Sequence, residues 1–462
     1  MRGDTIVAQA TAAGRAAVAL IRLSGPDARG IAARIGVSGD LVPRRATRVR
    51  LHDCDDASTA LDDALVTLFV APHSFTGENL IEFGVHGGSY VAQALLGALM
   101  AAGARPALAG EFTERAVRHG KLDLLQAEAV ADLIDARSRA THRAALRQLS
   151  GALSRRLLAL REALIAVEAL IAYDLDFPEE DDGPQPRARA VSAAAEVLAA
   201  LDALGATLPA SELGRDGVAV VLAGAPNAGK SSLLNVLVGD ARAIVSEVPG
   251  TTRDAIEVLV DAHPYPWRLV DTAGLRSSDD AVERLGLEVS ARWLARAQIV
   301  LVCGEDATAL AVAERAVAQQ LSAGANNSAA GAEHSPQLVV VRTKADLASD
   351  ATPTPPHAVE VSALTGEGLD ALRAAITAAV QQAYPEPPED QPMVTRARHA
   401  AAIAAAREEV AAFRDAWAAD VLPAPVAATH LRAAIHALDE LTGAIDVDEV
   451  LERVFRAFCV GK

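Results

Sequence analysis

Short runs rich in β-branched residues, TIVAQ, AAVALIRLSG, ALVTLFV and LIEFGVHGG, alternate with one stretch of helical spacing, YVAQALLGALMAAGA, over the start of the chain. This rhythm predicts a compact α/β domain over residues 1–118. From 119 to about 172 apolar residues recur every three or four positions, with no Pro and only two Gly, which predicts long helices. The segment DFPEEDDGPQP breaks that pattern with acid and proline and reads as a loop, and an alanine-rich helix follows to about 208. At 217 the pattern changes to strands, VAVVLAG, WRLVDTAG, IVLVC and QLVVVRTK, separated by helices in the βαβ manner. YPEPPEDQP, from 384, is a stiff proline linker, and 393–462 is helical again. The boundaries expected are 1–118 for the first α/β domain, 119–213 and 384–462 for two parts of one helical domain, and 214–383 for an α/β domain inserted between them. LSAGANNSAAGAEHS, at 321–335, is small and polar without periodicity, and is expected to be a mobile surface insertion.

Composition narrows the picture. Hydrophobic residues make up 51% and aromatics only 3%, so helices packed through small side chains are favoured over an aromatic-rich sandwich. A formal charge of −17 excludes a chain that grips nucleic acid by a general basic surface; any such contact is local or shared with a partner. The cysteines, Cys54, Cys303 and Cys459, form neither a paired motif nor an even framework, which argues against disulfides and zinc and fits a reducing cytoplasm. No apolar signal core opens the chain, and no run is expected to reach the roughly 18 apolar residues of a membrane span.

The clearest chemistry lies in GAPNAGKSSLLNVLVG. Gly224, Gly229, Lys230 and Ser231 satisfy G-x-x-x-x-G-K-S directly after an apolar strand and before a helix. Glycines let backbone N–H groups wrap a β-phosphate, the helix N-terminus adds positive potential, Lys230 reaches the β and γ oxygens, and the Ser231 hydroxyl can ligate Mg²⁺. Downstream, PGTTRD, DTAG, TKAD and SAL follow in the order and spacing of a GTPase. Asp346 suits guanine, because a carboxylate can accept from both the ring N–H and the exocyclic amine. The expected nucleotide contacts are Asn227, Ala228, Gly229, Lys230, Ser231 and Ser232; Ser246, Glu247, Val248, Pro249, Gly250, Thr251 and Thr252; Asp271, Thr272, Ala273 and Gly274; Thr343, Lys344 and Asp346; and Ser362 and Ala363. Thr343 stands where GTPases usually have Asn, keeping a hydroxyl and losing the amide fork, which leaves guanine selectivity open. Leu275 stands where Ras-like GTPases have a water-orienting Gln. Glu283 is a candidate for that task, against the alternative of a solvated helix-face glutamate.

Beyond these motifs the chain resembles the tRNA-modification GTPase family called MnmE or TrmE, through DTIVAQAT, GRAAVALIRLSGP, SFTGENLIEFGVHGG, GEFTERAV, GKLDLLQAEAVADLIDA and the tail FCVGK. The resemblance implies an N-terminal folate-binding domain that also makes a homodimer, and a helical domain split by a P-loop GTPase domain. It further implies a flavoprotein partner, MnmG, in a heterotetramer, and tRNA as the object of modification at carbon 5 of the wobble uridine. The one-carbon unit would come from 5-formyltetrahydrofolate or a related tetrahydrofolate, held by Arg22, Glu82, Lys121 and Lys462. It also implies K⁺ bound by Asn227, Ser246, Val248 and Thr251, Mg²⁺ bound by Ser231 and Thr252, catalysis by Glu283 with Lys230, and a cytoplasmic protein with no membrane contact. Cys459 falls in the family's C-terminal motif without an assigned role. A departure is TAAGRAAV, less rich in glycine and proline than usual near the N-terminus.

Two alternatives stay open. A regulatory or ribosome-associated GTPase switch without modification chemistry has the same nucleotide motifs, and the folate residues with the tail are what separate it. Arg139, Arg143 and Arg147, at i, i+4 spacing, are either a solvated face or a surface for tRNA or MnmG.

Overall fold

The structure is a computed structural model, and it describes residues 3–37, 41–136, 138–176, 187–240, 256–271, 293–325, 335–347, 355–388, 391–443 and 461. The chain divides into two units, one of residues 1–131, 148–199 and 402–462, the other of 132–147 and 200–401.

The first unit is built on six strands, β1 (Ile6–Gln9), β2 (Val18–Ser24), β3 (Thr47–His52), β4 (Ala60–Phe69), β5 (Leu80–His86) and β6 (Arg105–Pro106). They lie in the order β3-β4-β5-β2-β1-β6, antiparallel except for the β1–β6 pair. Alternation along β2 turns Ala19, Ile21 and Leu23 to one face, where Ile31 and Ile35 at α1 (Ala28–Arg34) and Leu95 and Leu99 of α2 (Ser89–Ala101) close a core. Among the described residues the opposite face is covered at one end only. There Ile6, Ala8 and Leu80 meet Phe112 of α3 (Glu111–Arg118), whereas Val18 and Leu65, each 57% exposed, flank Gly84 on the uncovered part.

Helices follow: α4 (Leu124–Asp135), α5 (Arg139–Leu149), α6 (Ala152–Asp176), α7 (Arg187–Gly205) and α8 (Leu208–Asp216). After the second sheet come α12 (Ala397–Ala418) and α13 (Ala424–Thr442). Within the first unit α6 packs against α13, with Arg161 donating to Asp439 at 2.7 Å and Arg432 to Glu168 at 2.6 Å. The whole nucleotide sheet lies between these two helices in sequence, so the helical layer is split by an insertion.

That second sheet runs β12-β11-β10-β7-β9-β8. Its strands are β7 (Val218–Gly224), β8 (Ile256–Val260), β9 (Trp267–Asp271), β10 (Ile299–Gly304), β11 (Gln337–Arg342) and β12 (Val359–Glu360), all parallel except β8 against β9. Both faces are buried, which is why β7 reads as an unbroken apolar run. Val218, Val220 and Leu222 pack toward α9 (Lys230–Asp240) and α11 (Leu369–Ala383); Val221 and Ala223 pack toward α10 (Ala307–Ala325).

Three expectations are corrected. The helix expected to end near 208 is followed by α8, which starts with a Pro in its first turn and runs to Asp216; a first-turn Pro is tolerated because its missing N–H has no helical partner there. The insertion expected from 321 begins inside α10, since helical structure continues to Ala325, and residues 326–334 lie outside the described ones. One helical stretch, Arg187–Asp216, is long and apolar enough to cross a membrane by length and composition, with 33% of its apolar window buried. Its alanines raise mean hydropathy without forming a visibly apolar run.

Candidate functional site

The phosphate loop follows from two backbone requirements. At Gly224, where β7 ends with φ of 150°, a Cβ would stand 2.3 Å from the Cys303 carbonyl oxygen of the neighbouring strand, so only glycine fits. Asn227 (φ 61°) and Gly229 (φ 76°) then turn the chain through the left-handed region into α9. Lys230, the first residue of that helix, is 6% exposed and folds back so that Nζ donates to the carbonyls of Gly224 (3.0 Å) and Ala225 (2.7 Å). The next residue, Ser231, donates its hydroxyl proton to Asp271 Oδ2 at 2.6 Å, joining the start of α9 to the end of β9. A hydroxyl and a carboxylate side by side are hard oxygen donors of the kind Mg²⁺ takes. Asn227, Ser231 and Ser232 are exposed, Gly229 is half-buried and Ala228 is buried.

The end of β11 reaches the same loop. Thr343, at the end of β11, is buried, and its hydroxyl donates to the carbonyl of Ala228 at 2.8 Å, with the Gly304 carbonyl at 3.2 Å. Its own N–H donates to Gly304 O at 2.8 Å. Lys344, at φ 56°, forms an ion pair with Glu305, and the neighbouring Arg342 donates to Glu360 at 3.0 Å. Asp346 is exposed and aimed by Ser362, whose hydroxyl donates to Oδ1 at 2.6 Å while its oxygen accepts from the N–H groups of Leu364 and Thr365. Ala363 is half-buried beside it. Behind the loop, burial pushes the Cys303 thiol up to about 12, so it stays protonated and takes no part in charge balance.

The structure therefore brings together Asn227 to Ser232, Asp271, Thr343, Lys344, Asp346, Ser362 and Ala363. Ser246, Glu247, Val248, Pro249, Gly250, Thr251, Thr252, Thr272, Ala273, Gly274, Leu275 and Glu283 lie outside the described residues, as do Cys459 and Lys462. Spacing carried no sign of the contacts between Thr343 and Ala228 and between Ser231 and Asp271, which join residues 115 and 40 positions apart.

In the first unit Arg22 and Glu82 are direct cross-strand neighbours on β2 and β5. Arg22 Nε donates to Glu82 Oε1 at 2.9 Å, each side chain being 23% exposed. The guanidinium also stands 5.6 Å from the Phe75 ring centroid, a residue the sequence reading passed over because it sits in a turn-rich loop with no periodicity. Lys121 is exposed, and its Cγ would lie 3.4 Å from a Cβ at Gly77, so the loops of GKLD and FTGEN run close together. His119 and the Thr76 carbonyl join those loops at 2.8 Å. Gly461 is buried with φ of 98°, and a Cβ there would stand 2.2 Å from the Gln9 carbonyl. Gly461 thus lies against the end of β1.

Beneath this shelf lies a charge cluster that sequence reading missed. Arg115 donates to Asp4, Glu78 and Glu111, and Arg105 to Asp4 and Glu111. Burial alone would push Glu111 up, but bonds from Arg105, the Leu108 N–H and Arg115 outweigh it and hold its carboxyl below the usual range.

Of the α5 arginines, Arg139 is 81% exposed, whereas Arg143 and Arg147 have partners. Arg139 lies 3.7 Å from Asp261, Arg143 pairs with Glu386 at 3.0 Å, and Arg147 reaches Met393 Sδ at 3.8 Å. Arg143 and Arg147 border a cavity of about 340 Å³ within the second unit, where burial and the nearby Glu386 push the Tyr265 hydroxyl up to about 12.

Known proteins match over the whole length. The model for the GTP-binding protein TrmE N-terminus covers residues 5–121, and that for the MnmE helical domain covers 124–459. The tRNA modification GTPase MnmE of Rhodospirillum rubrum is 42% identical, with 100% of both chains covered, and that of Thermus thermophilus is 41% identical, with 99% of both covered. Among solved structures, the G domain of the T. maritima FeoB iron transporter is 23% identical, covering 36% of this chain and 99% of its own, with a TM-score of 0.26. At that score the fold rests on the strand order given above. With two family models and full-length relatives in agreement, this chain belongs to the MnmE (TrmE) family of tRNA modification GTPases.

Proposed function

We propose that this protein hydrolyses GTP to drive tRNA modification. In this reading it works with the flavoprotein MnmG in a heterotetramer and installs a carboxymethylaminomethyl or aminomethyl group at carbon 5 of the wobble uridine, in the cytoplasm, from a tetrahydrofolate one-carbon unit. The observation that carries it is the meeting of Lys230, Ser231, Asp271 and Thr343 at one glycine-bounded loop, with Asp346 held by Ser362 after β11. It occurs in a chain whose family membership spans both sheets.

The chain's own groups suit the work. Lys230 Nζ donates to the carbonyls of Gly224 and Ala225, which holds its ammonium at the loop that would cradle the phosphates. Asp346, held by Ser362, offers two acceptor oxygens to a guanine edge. Mg²⁺, held by Ser231 and Thr252, would neutralise phosphate charge, and K⁺ at Asn227, Ser246, Val248 and Thr251 would add to that neutralisation. Glu283 is assigned to positioning the attacking water, in the absence of a glutamine at Leu275.

For folate, Glu82 suits the amide and amino edge of a pterin, and Arg22, Lys121 and Lys462 suit its anionic glutamate tail. The division at 118, 213 and 383 belongs to the same reading, as does a homodimer made through the uncovered sheet face bearing Val18 and Leu65. Calorimetry should detect 5-formyltetrahydrofolate binding to the full chain and its weakening in Arg22→Ala. Wobble nucleosides from a strain lacking the protein should lose the modified uridine. Folate binding absent from the wild type, with unmodified tRNA pools unchanged in the deletion strain, would leave the regulatory switch as the function.

A further inference from the structure

We infer that Thr343 is a positioning residue that locks the phosphate loop to the base-recognition loop, and that its side chain leaves the imidazole nitrogen N7 of the guanine unread. The inference rests on the nucleotide site proposed above and concerns how that site selects its base.

A threonine hydroxyl carries one proton. At Thr343 two backbone carbonyls compete for it, Ala228 O at 2.8 Å and Gly304 O at 3.2 Å, with the shorter contact to the phosphate loop. The side chain is 3% exposed, and a Cβ at Gly229 would stand 3.4 Å from the Thr343 Cβ, so the hydroxyl is shut in against the loop. Nothing on this side chain is left to donate to a purine. Its proton holds Ala228, two residues before Lys230, in register with the end of β11, while its N–H holds Gly304 at the end of β10.

Base selection is then concentrated on the other side of the ring system. Asp346 reads the N–H and amino edge, and its aim comes from the buried Ser362, whose hydroxyl donates to Asp346 Oδ1 at 2.6 Å. Removing the Thr343 hydroxyl should weaken every nucleotide that uses the phosphate loop by a common factor, without altering the preference for guanine over adenine.

The test uses the full-length protein with Mg²⁺ and measures equilibrium binding of GTP, 7-deaza-GTP and ATP. Wild type should bind 7-deaza-GTP within about twofold of GTP. Thr343→Val, which keeps the shape and removes the proton, should weaken both by a similar factor, about 5–10-fold as expected for one lost buried hydrogen bond. It should leave the GTP-to-ATP ratio unchanged, and Thr343→Ser should restore affinity. A tenfold or larger loss for 7-deaza-GTP in the wild type overturns the inference and needs no variant to be folded. So does a Thr343→Val protein with wild-type GTP affinity, or a Thr343→Ser protein as weak as Thr343→Val. A wild type that binds no GTP defeats the underlying site assignment instead.

Discussion

The two six-stranded sheets handle charge in opposite ways. In the first, Arg105 and Arg115 are met by Asp4, Glu78 and Glu111, so that cation and anion complete each other inside the unit. In the second, Lys230 is as buried as Arg115 and donates to the carbonyls of Gly224 and Ala225, while the Ser231 hydroxyl donates to Asp271. A buried cation with a fixed counter-ion is part of the architecture. A buried cation that donates to the carbonyls of a phosphate loop at a helix start stands where an anion from outside would bind. The difference separates two clusters that composition alone would treat alike.

The sharpest way to break the comparison is Lys230→Ala. GTP turnover should fall by at least the roughly 10²–10³-fold lost with one fixed charge-stabilising donor, while circular dichroism is unchanged; an unfolded variant would mean that this lysine is architectural after all. Arg115→Met should do the reverse. It leaves Glu78, Glu111 and Asp4 short of a cation and should cost about 3–5 kcal/mol in urea unfolding of the first unit. Nucleotide binding by the second should be retained.

Acid should then separate the sheets more gently. Asp4 is held down by its bond from Arg105, and Glu111 by the bonds that outweigh its burial, so both titrate in the folded state below their ordinary 3.8 and 4.5. Their contribution is complete above those ordinary values and is lost as pH falls through the lowered ones, because the unfolded chain takes up protons first. The urea midpoint of the first unit should drop between about pH 5 and pH 3, and Glu111→Gln should flatten that drop.

The smallest effect is expected at Asp63. The bonds from Arg50 and Arg48 hold its carboxyl down at about 2, but the group lies at the surface, where solvent and salt screen the pair. Arg50→Ala should leave the denaturation midpoint unchanged within error.

What the sequence made legible follows from how local each signal is. TIVAQ and VAVVLAG announced β1 and β7 because burial repeats along consecutive residues, and the phosphate loop was readable because its requirements fall within eight positions. The strand β3, TRVRLH, was missed because arginines occupy the bare face and leave only Val49 and Leu51 as apolar marks. The charge cluster, the Arg22–Phe75 contact and the tether from Thr343 were not readable, since each joins segments far apart along the chain. No spacing rule connects Asp4 with Arg115. The role of Glu283 stayed divided between catalysis and a plain helix face because one motif gave no second constraint on it.

The pairing of α6 with α13 sets a timetable for synthesis. α6, whose Leu153, Leu157, Leu160 and Leu164 are buried in the finished unit, leaves the ribosome with its partner helix α13 still unmade, for roughly 250 residues separate the two. At about 5–20 residues per second that wait lasts about 12–50 s. The second sheet, by contrast, has all its strands between Val218 and Glu360 and can close before α13 appears. A nascent chain stalled after 400 should therefore carry a finished nucleotide domain beside an open leucine stripe, which is the surface a chaperone would hold.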